Sequence, residues 1–175
     1  YIISDIPFLF FIVLGLLLIA KFKPGTWTSV TVGAVIFYAF FTRTTGIILL
    51  GSFLAYQTLC FYNQPTAQKT ILVNSALTLF SFGLLLLITS FVFPNGQGSY
   101  FEQLKGLTPA IFKSNIVNYF YLFMYFFGTG PIWTYIYYAL VIFFLIGAWT
   151  QRNVDQHIVI FFGLYLVAML FWPEW

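Results

Sequence analysis

The sequence predicts an all-α fold, a polytopic bundle of transmembrane helices, on three observations. Of its 175 residues, 61% are hydrophobic, 23% aromatic and only 6% charged. A water-soluble domain of this size cannot bury so much apolar surface. Apolar runs long enough to cross a ~30 Å hydrocarbon core recur along the chain. These runs are of helical length and lack the dyad alternation of a transmembrane β-barrel strand.

The first span is expected over Ile6–Ala20. It enters after "SD" and leaves into "KFKPG". Pro7 then falls in the first turn, where a missing N–H is tolerated, and Ser4 or Asp5 can cap the helix. Lys21 and Lys23 mark the exit side as cytoplasmic by the positive-inside rule.

The next apolar stretch, Thr28 to Phe61, is too long for one crossing. As a single helix it would reach about 50 Å at 1.5 Å per residue, against a ~30 Å core. It reads instead as a short re-entering helical hairpin that breaks at "TRTTG". Gly46 permits the turn and the threonines can satisfy freed backbone groups. Irregular backbone at depth must be buried in protein or line a wet cavity, so Arg43 is expected at the floor of a polar cavity on the non-cytoplasmic side.

Charge placement supports the hairpin. It returns the chain to the side of Lys21 before Lys69, whereas an unbroken crossing would set the two lysines on opposite sides. A span over Ile71–Phe93 follows, closed by the turn signal "PNGQG". Interfacial helices are expected around residues 99–128, one near Tyr100–Lys105 and a tilted aromatic one over Asn115–Phe127. Tyr119, Tyr121 and Tyr125 suit the headgroup level there. Spans over Ile132–Trp149 and His157–Trp172 complete the bundle, with Arg152 between them on the cytoplasmic side. The chain reads as a single transmembrane domain, 1–175. It opens with Tyr1 and closes on "FWPEW", which reads as part of a larger membrane domain.

Composition also excludes function classes. A net charge of +3 from seven basic residues is what the positive-inside rule supplies and is no argument for nucleic acid. The single cysteine, Cys60, forms no intrachain disulfide or thiolate cluster. No HExxH spacing, Gly-rich phosphate loop, nucleophile elbow or CxxC is present. His157, with Asp155 nearby, is expected at the cytoplasmic interface.

What remains is the outer face, where this topology collects Asp5, Arg43, Glu102, Lys105, Lys113 and Glu174. A charged side chain among membrane helices marks a functional pathway or pocket. The Arg43 guanidinium suits a phosphate, because its fork matches two oxygens. Asp5 can act as a general base or hold a divalent metal ion. The candidate site is therefore Asp5 as the catalytic and metal-ligating residue, with Arg43, Thr42, Tyr100 and Lys105 as the substrate-binding residues. Plainer readings stand beside these: a helix cap for Asp5, a snorkelling cation for Arg43, headgroup contacts for Lys105 and Lys113.

Four segments, "YIISDIPFLFFIVLGLLLIAKF", "GAVIFYAFFTRTTGIILLGSFLAYQ", "SYFEQLKG…NIVNYFYLFMYFF" and "YLVAMLFWPEW", resemble GT-C integral membrane glycosyltransferases. The similarity is to the bacterial branch of protein mannosyltransferases and the lipid A aminoarabinose transferase. It lies in an acidic residue just before a membrane helix, a short hairpin with a basic residue and glycine at its outer turn, and a "WP" mouth near the end. The resemblance implies an inner-membrane, multi-pass enzyme. It would move a sugar, with inversion, from a polyprenyl-phosphate donor at the non-cytoplasmic face. Asp5 falls where a family acid lies near metal or acceptor, and Arg43 where a basic residue meets the donor phosphate. The family's principal acid lies in a loop that would precede Tyr1. The alternatives are a non-catalytic membrane subunit packed by its aromatic helices, and a transporter. A transporter should show paired broken helices, whereas one broken hairpin is seen.

Overall fold

The computed structural model describes residues 2–21, 25–93, 113–116, 118 and 130–171, and every regular element among them is helical. The main helices are α1 (Ile2–Ala20), α2 (Thr26–Thr42), α3 (Ile47–Asn63), α4 (Gln68–Val92), α5 (Pro131–Gln151) and α6 (Gln156–Phe171). Of the connection expected to form interfacial helices, only residues 113–116 and 118 are described, and these are helical. Tyr100, Lys105 and the rest of that connection lie outside the described residues.

The 28–61 stretch breaks at "TRTTG". Two helices of 17 residues each flank a 3₁₀ turn at Thr44–Gly46. At 1.5 Å per residue each helix is about 25 Å long, within reach of a ~30 Å hydrocarbon core that a single unbroken helix would overrun. The break is one residue deep: Arg43 is extended, at φ −155° and ψ 129°. The Thr42 hydroxyl lies 2.9 Å from both the Tyr38 and Ala39 carbonyl oxygens, closing onto the end of α2.

Gly46 serves the turn for a reason other than conformational freedom. Its backbone is ordinary right-handed helix, at φ −59° and ψ −17°. A Cβ there would instead run into the Ala39 carbonyl and the Phe40 amide. The glycine lets the turn fold back onto the end of α2.

α1 starts earlier than the Ile6 expected. Ile2 and Ile3 extend the apolar run, so Asp5 sits in the first turn and Pro7 within the helix. Asp5 is thus no N-cap. It keeps a favourable place near the positive end of the helix dipole.

Side-chain pairs fix how the helices run. Phe11 stacks on Tyr38, with ring centroids 5.5 Å apart, and Asp5 meets Arg43, so α1 and α2 are antiparallel. Ser29 lies against Asn74, Phe37 and Phe40 against Phe82, and Phe41 against Phe93, so α2 and α4 are parallel. Gly51 faces Leu164 and Tyr56 faces His157, so α3 and α6 are antiparallel. The core lies among α1, α2, α3, α4 and α6, around Ile19, Val32, Ile36, Leu49, Phe53 and Phe82. Lys21, Lys69 and Arg152 therefore share one end of the bundle. Asp5 and Arg43 share the other, together with Lys113, since the Asn115 Nδ2 donates to the Leu170 carbonyl at 3.0 Å. Cysteines substituted at 21, 69 and 152 should label from one side of intact vesicles, and those at 43 and 113 from the other. Labelling of 69 from the side of 113 would contradict this arrangement.

The α2–α4 seam is polar. Ser29 Oγ donates to Asn74 Oδ1 (3.1 Å), Thr78 Oγ1 to the Ser29 carbonyl (3.1 Å), and Ser81 Oγ to the Val30 carbonyl (3.0 Å). Gly33 makes this approach possible, because a Cβ there would meet the Thr78 carbonyl oxygen at 2.5 Å and Ser81 Cβ at 2.8 Å. Close packing outweighs each hydrogen bond here. An interhelical bond between membrane helices is worth about 0.6 kcal/mol on average, while overpacking costs about 1–3 kcal/mol. Gly33→Val should therefore lower unfolding stability in detergent more than Thr78→Val does. The reverse order would mean that the hydrogen bonds hold the seam more strongly than the packing.

Three helical stretches are long and apolar enough to cross a membrane: Thr44–Asn63, Pro65–Val92 and Pro131–Gln151. Shorter apolar helices cover Asp5–Ala20, Thr26–Thr42 and Gln156–Leu170. Much of the apolar surface faces outward. Along α5, Tyr137 alone is buried, and Ile132, Tyr135, Phe143 and Trp149 are exposed.

Candidate anion-binding site

The site is built where α1 begins and α2 ends. Arg43 Nη1 donates to Asp5 Oδ1 at 2.6 Å. The two side chains are 43% and 50% exposed, so solvent or a ligand can reach both. The guanidinium also lies over the Phe8 ring, 5.9 Å from its centroid. Asp5 and Phe8 are three residues apart and share one face of α1. That face presents a carboxylate and an aromatic ring to one cation.

The extended backbone at Arg43 starts this arrangement. It ends α2 after Thr42 and swings the side chain toward α1. Its N–H still bonds the Ala39 carbonyl at 3.1 Å, and its carbonyl accepts from Gly46 N–H at 2.8 Å. A guanidinium fork has five donors, and one of them engages Asp5, so the site can accept further oxygen atoms. Thr45 Oγ1, two residues on, is buried with no partner among the described residues.

Of the residues the sequence pointed to, the structure brings Asp5, Arg43 and Thr42 to the same end of the bundle. Thr42 supports the turn, since its hydroxyl is turned onto backbone carbonyls. Arg43 stands half-exposed, and two residues before it the Phe41 ring lies 6.4 Å from that of Phe93, just past α4. The connection over 99–128, which carries Tyr100 and Lys105, is mostly outside the described residues.

The Asp5 carboxylate, expected to ligate a metal ion, is paired with Arg43. A guanidinium already holds Oδ1, and among the described residues no group of three His, Cys, Asp or Glu side chains converges. A cation beside the lone carboxylate opposes a second cation there.

Sequence reasoning named Asp5 and Arg43 separately, each for a ligand, and missed their pairing across 38 positions. It also missed Phe8, although the three-residue spacing from Asp5 was a usable signal. His157, expected at an interface, is buried at 5% exposure and packs edge-on to Tyr56, with ring centroids 5.7 Å apart. Its Nε2 has no hydrogen-bond partner among the described residues. Cys60 is half-buried on α3 near Tyr56.

Comparison of the chain with protein-family models, curated proteins and solved structures gave no match.

Proposed function

We propose that this chain is an integral membrane protein and part of a glycosyltransferase. It would transfer a sugar from a polyprenyl-phosphate donor to an acceptor at the non-cytoplasmic face of a bacterial inner membrane. The observation that carries the reading is Arg43. It is a half-exposed guanidinium at the end of an apolar bundle, opposite the end that holds Lys21, Lys69 and Arg152. On the positive-inside rule the basic end is cytoplasmic and Arg43 is outside. A cation at the mouth of an apolar bundle suits a ligand with a phosphate head and a greasy tail. The sugar-transfer half of the reading rests on the resemblance of the quoted motifs to GT-C transferases.

In this reading Arg43 holds the donor phosphate, Thr42 fixes the turn that carries Arg43, and Tyr100 and Lys105 are further substrate-binding residues. The catalytic role expected of Asp5 requires its carboxylate to be freed from Arg43, which a phosphate arriving at Arg43 would bring about. A divalent metal ion on Asp5 would likewise need that carboxylate released from Arg43.

The test is headgroup selectivity. In nanodiscs the protein, or a longer chain containing it, should bind polyprenyl phosphate in preference to polyprenol of equal length. Equal binding would favour the second reading, a non-catalytic subunit of a larger membrane complex. One observation speaks for that reading: aromatic side chains of α5, among them Trp133, Tyr135, Phe143 and Trp149, are exposed along its length.

A further inference from the structure

The structure shows an anion already seated on Arg43, and that anion belongs to the protein. From this we infer that Asp5 is an exchangeable counter-ion. It occupies Arg43 when no ligand is bound, gives way to a lipid phosphate, and takes Arg43 back when the phosphate leaves. The inference rests on the reading of Arg43 as a phosphate-binding residue and adds a regulatory part to the same site.

Three features of the pair support exchange over a fixed structural role. The contact is short, at 2.6 Å, yet both partners are about half exposed. Such an ion pair is worth little, because water screens it and two long side chains must be held still. It can therefore open cheaply. The partners come from different helices, α1 and the α2–α3 turn, 38 residues apart. The fold tethers the carboxylate beside the guanidinium, so it competes as an intramolecular ligand at high effective concentration. Finally, Phe8 lies beside the guanidinium. The ring can keep Arg43 in place by cation–π attraction while its carboxylate partner changes.

The consequence is kinetic. A bare guanidinium at a membrane surface would hold any lipid phosphate and release it slowly. A tethered carboxylate lowers the affinity for every incoming anion and competes for Arg43 as the bound anion departs. For a transferase this assists release of the polyprenyl phosphate left after the sugar has gone.

The experiment compares polyprenyl-phosphate binding to wild-type, Asp5→Asn, Arg43→Ala and the double variant in nanodiscs, with unfolding curves to confirm that each is folded. Asp5→Asn should bind about two- to five-fold more tightly than wild-type, the range set by an exposed ion pair, with the gain mainly in slower dissociation. The same substitution should have no effect in the Arg43→Ala background, because competition acts only through Arg43. Unchanged or weaker binding by Asp5→Asn, with Arg43→Ala still impaired, overturns the exchange while leaving the phosphate reading intact. Equal tightening in both backgrounds also overturns it, since Asp5 would then act by through-space repulsion. Binding that ignores both the phosphate and Arg43 overturns the exchange and the phosphate reading together.

Discussion

Arg43→Ala is expected to weaken polyprenyl-phosphate binding about 30-fold. Removing one partner of a desolvated charge contact costs about 2–5 kcal/mol. Arg43 is 43% exposed before any ligand arrives, so the lower end, about 2 kcal/mol, applies, and 1.4 kcal/mol corresponds to tenfold. Arg43→Lys should recover part of the loss, because an ammonium keeps the charge but not the planar fork. The change should barely affect folding. The Asp5–Arg43 pair is surface-like, worth about 0–1 kcal/mol, and the turn is held by Gly46 and Thr42. Binding isotherms for the three proteins, alongside unfolding curves, separate the two effects. Equal donor affinity in wild-type and Arg43→Ala would remove Arg43 from the site and leave it as a snorkelling cation.

Gly46→Val is expected to be the most damaging single change to the fold among the described glycines. A Cβ at Gly46 meets backbone, the Ala39 carbonyl and the Phe40 amide, and not the end of a flexible side chain. Overpacking usually costs about 1–3 kcal/mol because side chains can yield. Here the end of α2 itself must move, so a loss of about 3 kcal/mol or more is expected. That movement would also pull Arg43 away from Asp5. Gly83, with nothing within 4 Å of its would-be Cβ, is the control, and Gly83→Ala should be neutral or slightly stabilising on helix propensity. Chemical unfolding in mixed micelles measures both. If Gly46→Val unfolds at the wild-type midpoint, the turn does not pack against α2 as described.

The two results bear on different parts of the protein. Loss of binding by Arg43→Ala with a normal unfolding curve would isolate the chemistry of the site. Loss of stability by Gly46→Val would show that the scaffold holding Arg43 depends on one tight backbone contact.

The sequence by itself determined the helical class, the positions of most spans and the break at "TRTTG". Each follows from a one-dimensional quantity. Hydropathy sets which runs are apolar, rise per residue sets how far a run can reach, and basic residues sort the loops. The placement of Lys21, Lys69 and Arg152 at one end followed from the same signals, because helix order alone fixes which loops share an end. The tertiary structure decided the rest. Pairing of Asp5 with Arg43, the ring of Phe8 beside the guanidinium, the Ser29–Asn74 and Thr78–Ser29 contacts, and the burial of His157 against Tyr56 all depend on helix packing. They are set by which helix faces meet and at what height. Apolar faces that look alike all round carry little record of that choice. Gly46 shows the division within one residue. The sequence marks a turn there, but only the packed backbone shows that the glycine is needed for close approach, since its own dihedral angles would suit any residue.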